Sequence, residues 1–445
     1  MKPAQQAALA SASPSEIINA LSRASANFKA QSLLSMGNKY RENVSKKVDK
    51  LCKGVGPYNE PELVESIAVS SILHLFDGWS YFAEALKASF RAEHGIARHL
   101  AYYSELRSSM SILAAHGVGV FNSKHVVVGA GGSITKFPGD MGTHVMAWEA
   151  LKEWGTSSHS GSLIGNDIYA FNVTLNDWIK VFQATTTLNL SGAEWVNKWG
   201  LDLSRLTEDR KTRNEVSYGV CFDHKLPRQT PSMLEPWLRE IWLASEPSAS
   251  PFSALDQYLV RSTLEGIFNT KFKNPSDSAG QSKRALIRRM EDTCASLGIK
   301  GDAIPDFLTR RKVPMDLEVM RLASKRSKVN GALQYQEVLS RTFLLLRLSS
   351  ASVRSLVLAA GLKVDDISFW WQHVLSESGL WQKSTPPNDI EEAKDLWANV
   401  ELSLDELSDF TAKNPHGCWF DLHTKIAWDI ENLSRVEKVA LWGLS

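Results

Sequence analysis

The chain has 445 residues, 43% hydrophobic and 22% charged, the composition of a globular protein with two or three domains. A net charge of +1 excludes a global field drawing the protein to nucleic acid or membrane, so any such contact needs a local patch. Cys52, Cys221, Cys294 and Cys418 lie far apart with no C-x-x-C pair, which argues for free thiols in a reducing cytoplasm and against a disulfide framework or a zinc site.

Residues 1–59 read as a helical or loosely ordered arm; the Ala/Ser-rich stretch Met1 to Glu16 lacks the apolar run of a secretory signal. Leu63, Ile67, Ile72, Leu75, Trp79, Phe82 and Leu86 recur at three- and four-residue spacing, and Asn59-Glu60-Pro61-Glu62 is a helix start. A second helix over about 95–115 carries Leu100, Tyr103, Leu106, Met110 and Leu113 on one face and stops at Gly117. Val118 to Phe121 and Val126 to Val128 are β-prone and predict a small hairpin or irregular insertion near 118–140. Gly129-Ala130-Gly131-Gly132-Ser133 imitates a dinucleotide fingerprint, but Ile134 stands where its third glycine belongs, so the stretch reads as a turn.

Helical periodicity returns over 143–153, a further helix is expected around 177–186, and 195–223 holds an arginine-bearing segment. The polar stretch Asn274 to Ser278 and Gly280 predict a boundary, after which the chain is helical almost to its end. The fold expectation is therefore mainly α: a multi-helix domain over 60–230, a connecting segment over 231–280 and a second all-α domain over 281–445. Phe343 to Leu348 belongs to an apolar core helix with Arg341 and Arg347 at its polar edges. Trp370, Trp371, Trp381, Trp397, Trp419 and Trp428 punctuate a densely packed or partner-docking C-terminal region. No run reaches the roughly 18 apolar residues of a membrane span.

Between 281 and 330 twelve Lys or Arg face six Asp or Glu, whereas 382–411 has eight acids against two lysines. These runs are either solvated helix faces or, for Lys283, Arg284, Arg288, Arg310, Arg311 and Lys312, a nucleic-acid-binding surface. His94 and His99, five apart, do not share a helix face, and His416 and His423 could share one but Pro415 and Gly417 place His416 in a turn, so neither pair reads as a metal site. Neither a phosphate-binding G-x-x-x-x-G-K-[ST] loop nor a G-x-S-x-G elbow occurs, so neither a cofactor nor a metal is expected.

Two segments remain. Tyr102-Tyr103-Ser104-Glu105-Leu106-Arg107 runs through small residues to Gly117 and then His125; about ninety residues later comes Arg213-Asn214-Glu215-Val216-Ser217-Tyr218. In order and spacing they resemble the HEPN superfamily, especially its YaaC-like branch, over roughly residues 60–225. The resemblance implies packing of the tyrosine helix against the arginine helix and metal-independent RNA cleavage. Arg213 matches the family's arginine and Asn214 the polar residue after it. An arginine fork neutralises the scissile phosphate, and a group titrating near neutrality takes the ribose proton.

Where the ribonucleases have histidine this chain has Tyr218, so the Arg-polar-x-x-x-His motif is degenerate. A phenol titrating near 10 is a poor base at neutral pH. His224, six residues further on, is the alternative. The same region also reads as a non-catalytic polar network of Tyr103, His125, Glu215 and His224 around Arg213. The resemblance points to a cytoplasmic prokaryotic defence or toxin–antitoxin component that binds and cleaves RNA. A non-enzymatic helical adaptor and a DNA-associated factor using residues 283–328 are the alternatives. Fifteen tryptophans and near-zero net charge favour a homodimer or a partner protein.

Overall fold

A computed structural model describes residues 1–54, 56–185, 191–218, 230–247, 251–329 and 332–445, with only the backbone at 215–218, 329, 332 and 333. It is 68% helix and 4% strand, as the mainly-α expectation requires. Short β1 (Tyr58–Asn59) precedes a long helix, here α1 (Pro61–Phe90), which opens with proline in its first turn and an acid, Glu62, beside the positive helix end. A three-residue link carries the chain into α2 (His94–Ala115).

The small residues of α2 have a structural purpose. The hydroxyls of Ser104 and Ser111 donate to the carbonyls of Gly78 and Ser71 in α1, at 2.6 and 2.7 Å. Gly78 has no side chain to hold the helices apart: a Cβ there would meet Leu346 Cδ2 at 3.1 Å and Ser108 Oγ at 3.2 Å. Gly117 ends α2 region with φ of +89°, a conformation that glycine adopts without strain.

The expected hairpin is part of a larger element. β2 (Val118–Gly119), β3 (Val126–Val128) and β4 (Ser133–Lys136) join β1 in an antiparallel sheet of order β1-β4-β3-β2, with Val118 opposite Val127 and Tyr58 opposite Ile134. The glycine-rich stretch is the turn between β3 and β4. After it come α3 (Thr143–Gly155) and, later, α4 (Leu206–Tyr218).

The division at residue 281 cuts through a continuous core. The helix α5 (Tyr335–Ala359) packs against both α1 and α2, and buried apolar residues from Ile17 to Leu444 form one cluster. The N-terminal arm joins it: helix Pro14–Ala24 buries Ile17, Ala20, Leu21 and Ala24 and packs on α1. Most of the tryptophans are internal too, among them Trp79, Trp148, Trp237 and Trp371. Among the described residues α5 alone is long and apolar enough to cross a membrane, and 78% of its most apolar window is buried inside the fold.

Arg341 and Arg347 are not at polar edges. Both are buried in α5, Arg341 paired with Asp209 and Arg347 with Asp256 and Asp167. A buried guanidinium persists only when paired and hydrogen-bonded, and carboxylates brought by distant segments supply that condition.

Candidate active site

Helices α2, α3 and α4 converge on the tyrosine pair. Tyr102 is fully buried and Tyr103 half-buried near the middle of α2, and α4 lies against them. The Arg213 guanidinium carbon sits 5.3 Å from the centre of the Tyr102 ring and 5.4 Å from that of Tyr103. Aromatic faces hold a guanidinium by their quadrupole while leaving its in-plane donors free to point elsewhere. One donor, Nη2, reaches the Tyr103 hydroxyl at 3.4 Å, and Nη1 donates to Asn214 Oδ1 at 3.0 Å. The arginine and tyrosine segments are thus in contact across 110 residues of sequence.

A histidine that the motif reading passes over completes the cluster. His144, in the first turn of α3, has Nδ1 2.7 Å from the Tyr102 hydroxyl, with the two rings stacked at 5.6 Å. Burial first, then the positive charges of Arg213 and Arg210, hold its imidazole below the ordinary histidine value, so it is neutral at pH 7. When Nδ1 carries the proton and donates it to the phenol oxygen, Nε2 keeps the lone pair of a base. His99 stands on the other side, 5.0 Å from the Tyr103 ring and lowered by burial and Arg213, and Tyr81 stacks on Tyr103 at 5.6 Å. Burial pushes the Tyr102 phenol up, so it stays protonated.

A buried charge cluster supports α4 from below. Asp209, one turn before Arg213, receives Arg341 Nε at 2.9 Å and Nη2 at 2.5 Å; both side chains are fully buried. Glu105 of α2 is buried beside them, and burial together with the Asp209 charge raises its carboxyl well above the usual range.

Of the expected residues, Arg213, Asn214 and Tyr103 come together. α4 extends to Tyr218, but the side chains of Glu215 and Tyr218 and the whole of His224 lie outside the described residues. His125 is not in this network. The Phe121 N–H donates to its Nδ1 at 3.1 Å, and its Nε2 donates to the Met141 carbonyl at 2.7 Å. Both ring nitrogens are therefore spent on clamping the loops beside the sheet.

The basic segment divides in two. Arg310 bonds Glu265 and Asp316, Arg311 pairs with Glu291 and Asp306, and Lys312 lies 4.0 Å from Asp306. Each of these three has a carboxylate of the fold within 4.0 Å. Lys283, Arg284 and Arg288 are exposed and pair with no carboxylate among the described residues. Nor, among those residues, do three or more His, Cys, Asp or Glu side chains gather where a metal ion could be held.

His144, His99, Arg210 and Tyr81 carried no sequence signal beyond a histidine in the first turn of an expected helix. Which helix lies over Tyr102 is settled by packing alone. No protein-family model matches this chain, and no curated protein or solved structure does either.

Proposed function

We propose that this protein is a cytoplasmic component of a prokaryotic defence or toxin–antitoxin system that binds RNA at the Arg213 centre and cleaves it without a metal ion. One observation carries the chemistry: a guanidinium laid across a tyrosine pair, with a neutral histidine bonded to one of those tyrosines. The biological setting rests on the resemblance of the tyrosine and arginine segments to HEPN proteins.

In this reading Arg213 binds the non-bridging oxygens of the scissile phosphate, where charge builds in the transition state. His144 takes the proton of the ribose 2′-hydroxyl through Nε2. The 2′-oxygen forms a bond to phosphorus, the bond to the 5′-oxygen breaks, and that oxygen takes a proton from solvent. The products are a 2′,3′-cyclic phosphate and a 5′-hydroxyl. His144, held below the ordinary histidine value, supplies the base that a phenol titrating near 10 does not.

The test is incubation of purified protein with total RNA. Wild type should cleave; Arg213→Ala and His144→Ala should each lose roughly a hundredfold or more of the rate. A second reading, a non-enzymatic adaptor, is favoured by Leu402, Phe420 and Trp428, which are 62%, 74% and 60% exposed on C-terminal helices. Absence of cleavage by wild type, with stable capture of a protein of the same system, selects it.

A further inference from the structure

Helix Ala279–Ser296 presents Arg284 and Arg288 four residues apart, both exposed, with the half-buried Arg289 beside them. Facing them are Phe268 and Phe272, from a π-helical turn that ends helix Ser253–Ile267 and is closed by the Lys273 N–H donating to the Phe268 carbonyl at 2.9 Å. With Ala285 and Asp292 these residues line a cleft of about 450 Å³. Turns of this kind are rare and cluster at functional sites.

Arg289 is held in place. Its guanidinium carbon lies 3.5 Å from the centre of the Phe272 ring, and its Nε donates to the Phe182 carbonyl at 2.7 Å. Three guanidinium groups thus line the cleft against one carboxylate, Asp292. Arg284 and Arg288 have no ion-pair partner among the described residues, whereas Arg310 and Arg311 do. Apolar walls strengthen charge interactions at the rim, and guanidinium forks match the oxygens of phosphate.

We propose that this cleft is a phosphate-binding site, separate from the Arg213 centre. Its affinity for phosphate stands on its own; that the phosphates belong to RNA rests on the function proposed above.

Two ligands separate the sources: pyrophosphate, followed by calorimetry, and a short fluorescein-labelled oligouridylate, followed by anisotropy across a salt series. The variant is Arg284→Ala/Arg288→Ala, whose exposed positions keep the fold, as its circular dichroism should show. Wild type should bind both ligands. The variant should bind oligouridylate roughly tenfold more weakly, with a salt slope shallower by about 1.4, the value for two lost single-strand phosphate contacts.

Pyrophosphate binding that the double variant loses, without any oligouridylate binding by wild type, supports the cleft with free phosphates as its ligand and removes the RNA reading. Pyrophosphate and oligouridylate binding both unchanged in the variant overturn the cleft and leave the RNA reading standing; oligouridylate binding unchanged while the variant loses pyrophosphate keeps the cleft as a site for free phosphates and leaves RNA to the Arg213 centre. Wild type that binds neither ligand overturns the cleft.

Discussion

Arg341 and Asp209, 132 residues apart in sequence, form a two-pronged ion pair with both side chains sealed from solvent. Arg341 belongs to the central helix and Asp209 to the helix that carries Arg213 one turn later, so the pair sets where Arg213 meets the tyrosines.

Breaking this pair on one side should be costly. Arg341→Met leaves Asp209 buried without its counter-charge and is expected to lose about 3–5 kcal/mol of stability in urea denaturation. Arg341→Met combined with Asp209→Leu removes both charges and should recover most of that loss. A single variant as stable as wild type would show that the pair does not anchor the helix.

The electrostatics of the candidate site can be read without any activity. The imidazole of His144 should titrate below the ordinary histidine value in a proton NMR titration, because burial and two arginines disfavour its charged form. Arg213→Ala removes one of those charges and should move the titration upward. If His144 does work as the base, cleavage should fall as acid protonates it, with a midpoint below about 6.5. An unchanged titration in Arg213→Ala would separate the two residues.

His116 offers a test of acid lability. It is buried at the end of α2, with Nδ1 2.7 Å from the Ile112 carbonyl, and burial lowers its titration to about 3. The unfolded chain takes up a proton near pH 6.5, whereas the native state does not until about pH 3. Between these values the unfolded state binds more protons, so this group's contribution is complete above pH 6.5 and is lost as pH falls. The slope is about 1.4 kcal/mol per pH unit. His116→Gln should lose stability less steeply than wild type by about that amount between pH 6 and pH 4, measured by denaturant midpoints at each pH.

Arg310 should matter for stability rather than for phosphate. Its guanidinium bridges Glu265 of helix Ser253–Ile267 and Asp316. Arg310→Ala is expected to cost about 1–3 kcal/mol and to leave the salt slope of oligouridylate binding unchanged. A shallower slope would place Arg310 on the nucleic acid after all.

Features that depend on near neighbours are readable from the chain alone. The spacing of Leu63 to Leu86 defines a buried helix face, Pro61 marks its start, and Gly117 ends the next helix, because backbone preference and side-chain period act within a few residues. Tyr102, Tyr103 and Arg213 were legible as candidates by their residue types and order. Their meeting, and the arrival of His144 over Tyr102, depends on which helix faces pack together, and that is set by burial summed over segments far apart in the chain. The same holds for charge. A basic run shows where positive groups lie along the chain, but not which of them will find Glu265, Asp316 or Asp209 in the fold. Tertiary structure alone decided that Arg310 and Arg341 are consumed internally while Arg284 and Arg288 stay open, because an ion pair forms between surfaces that packing has already brought together.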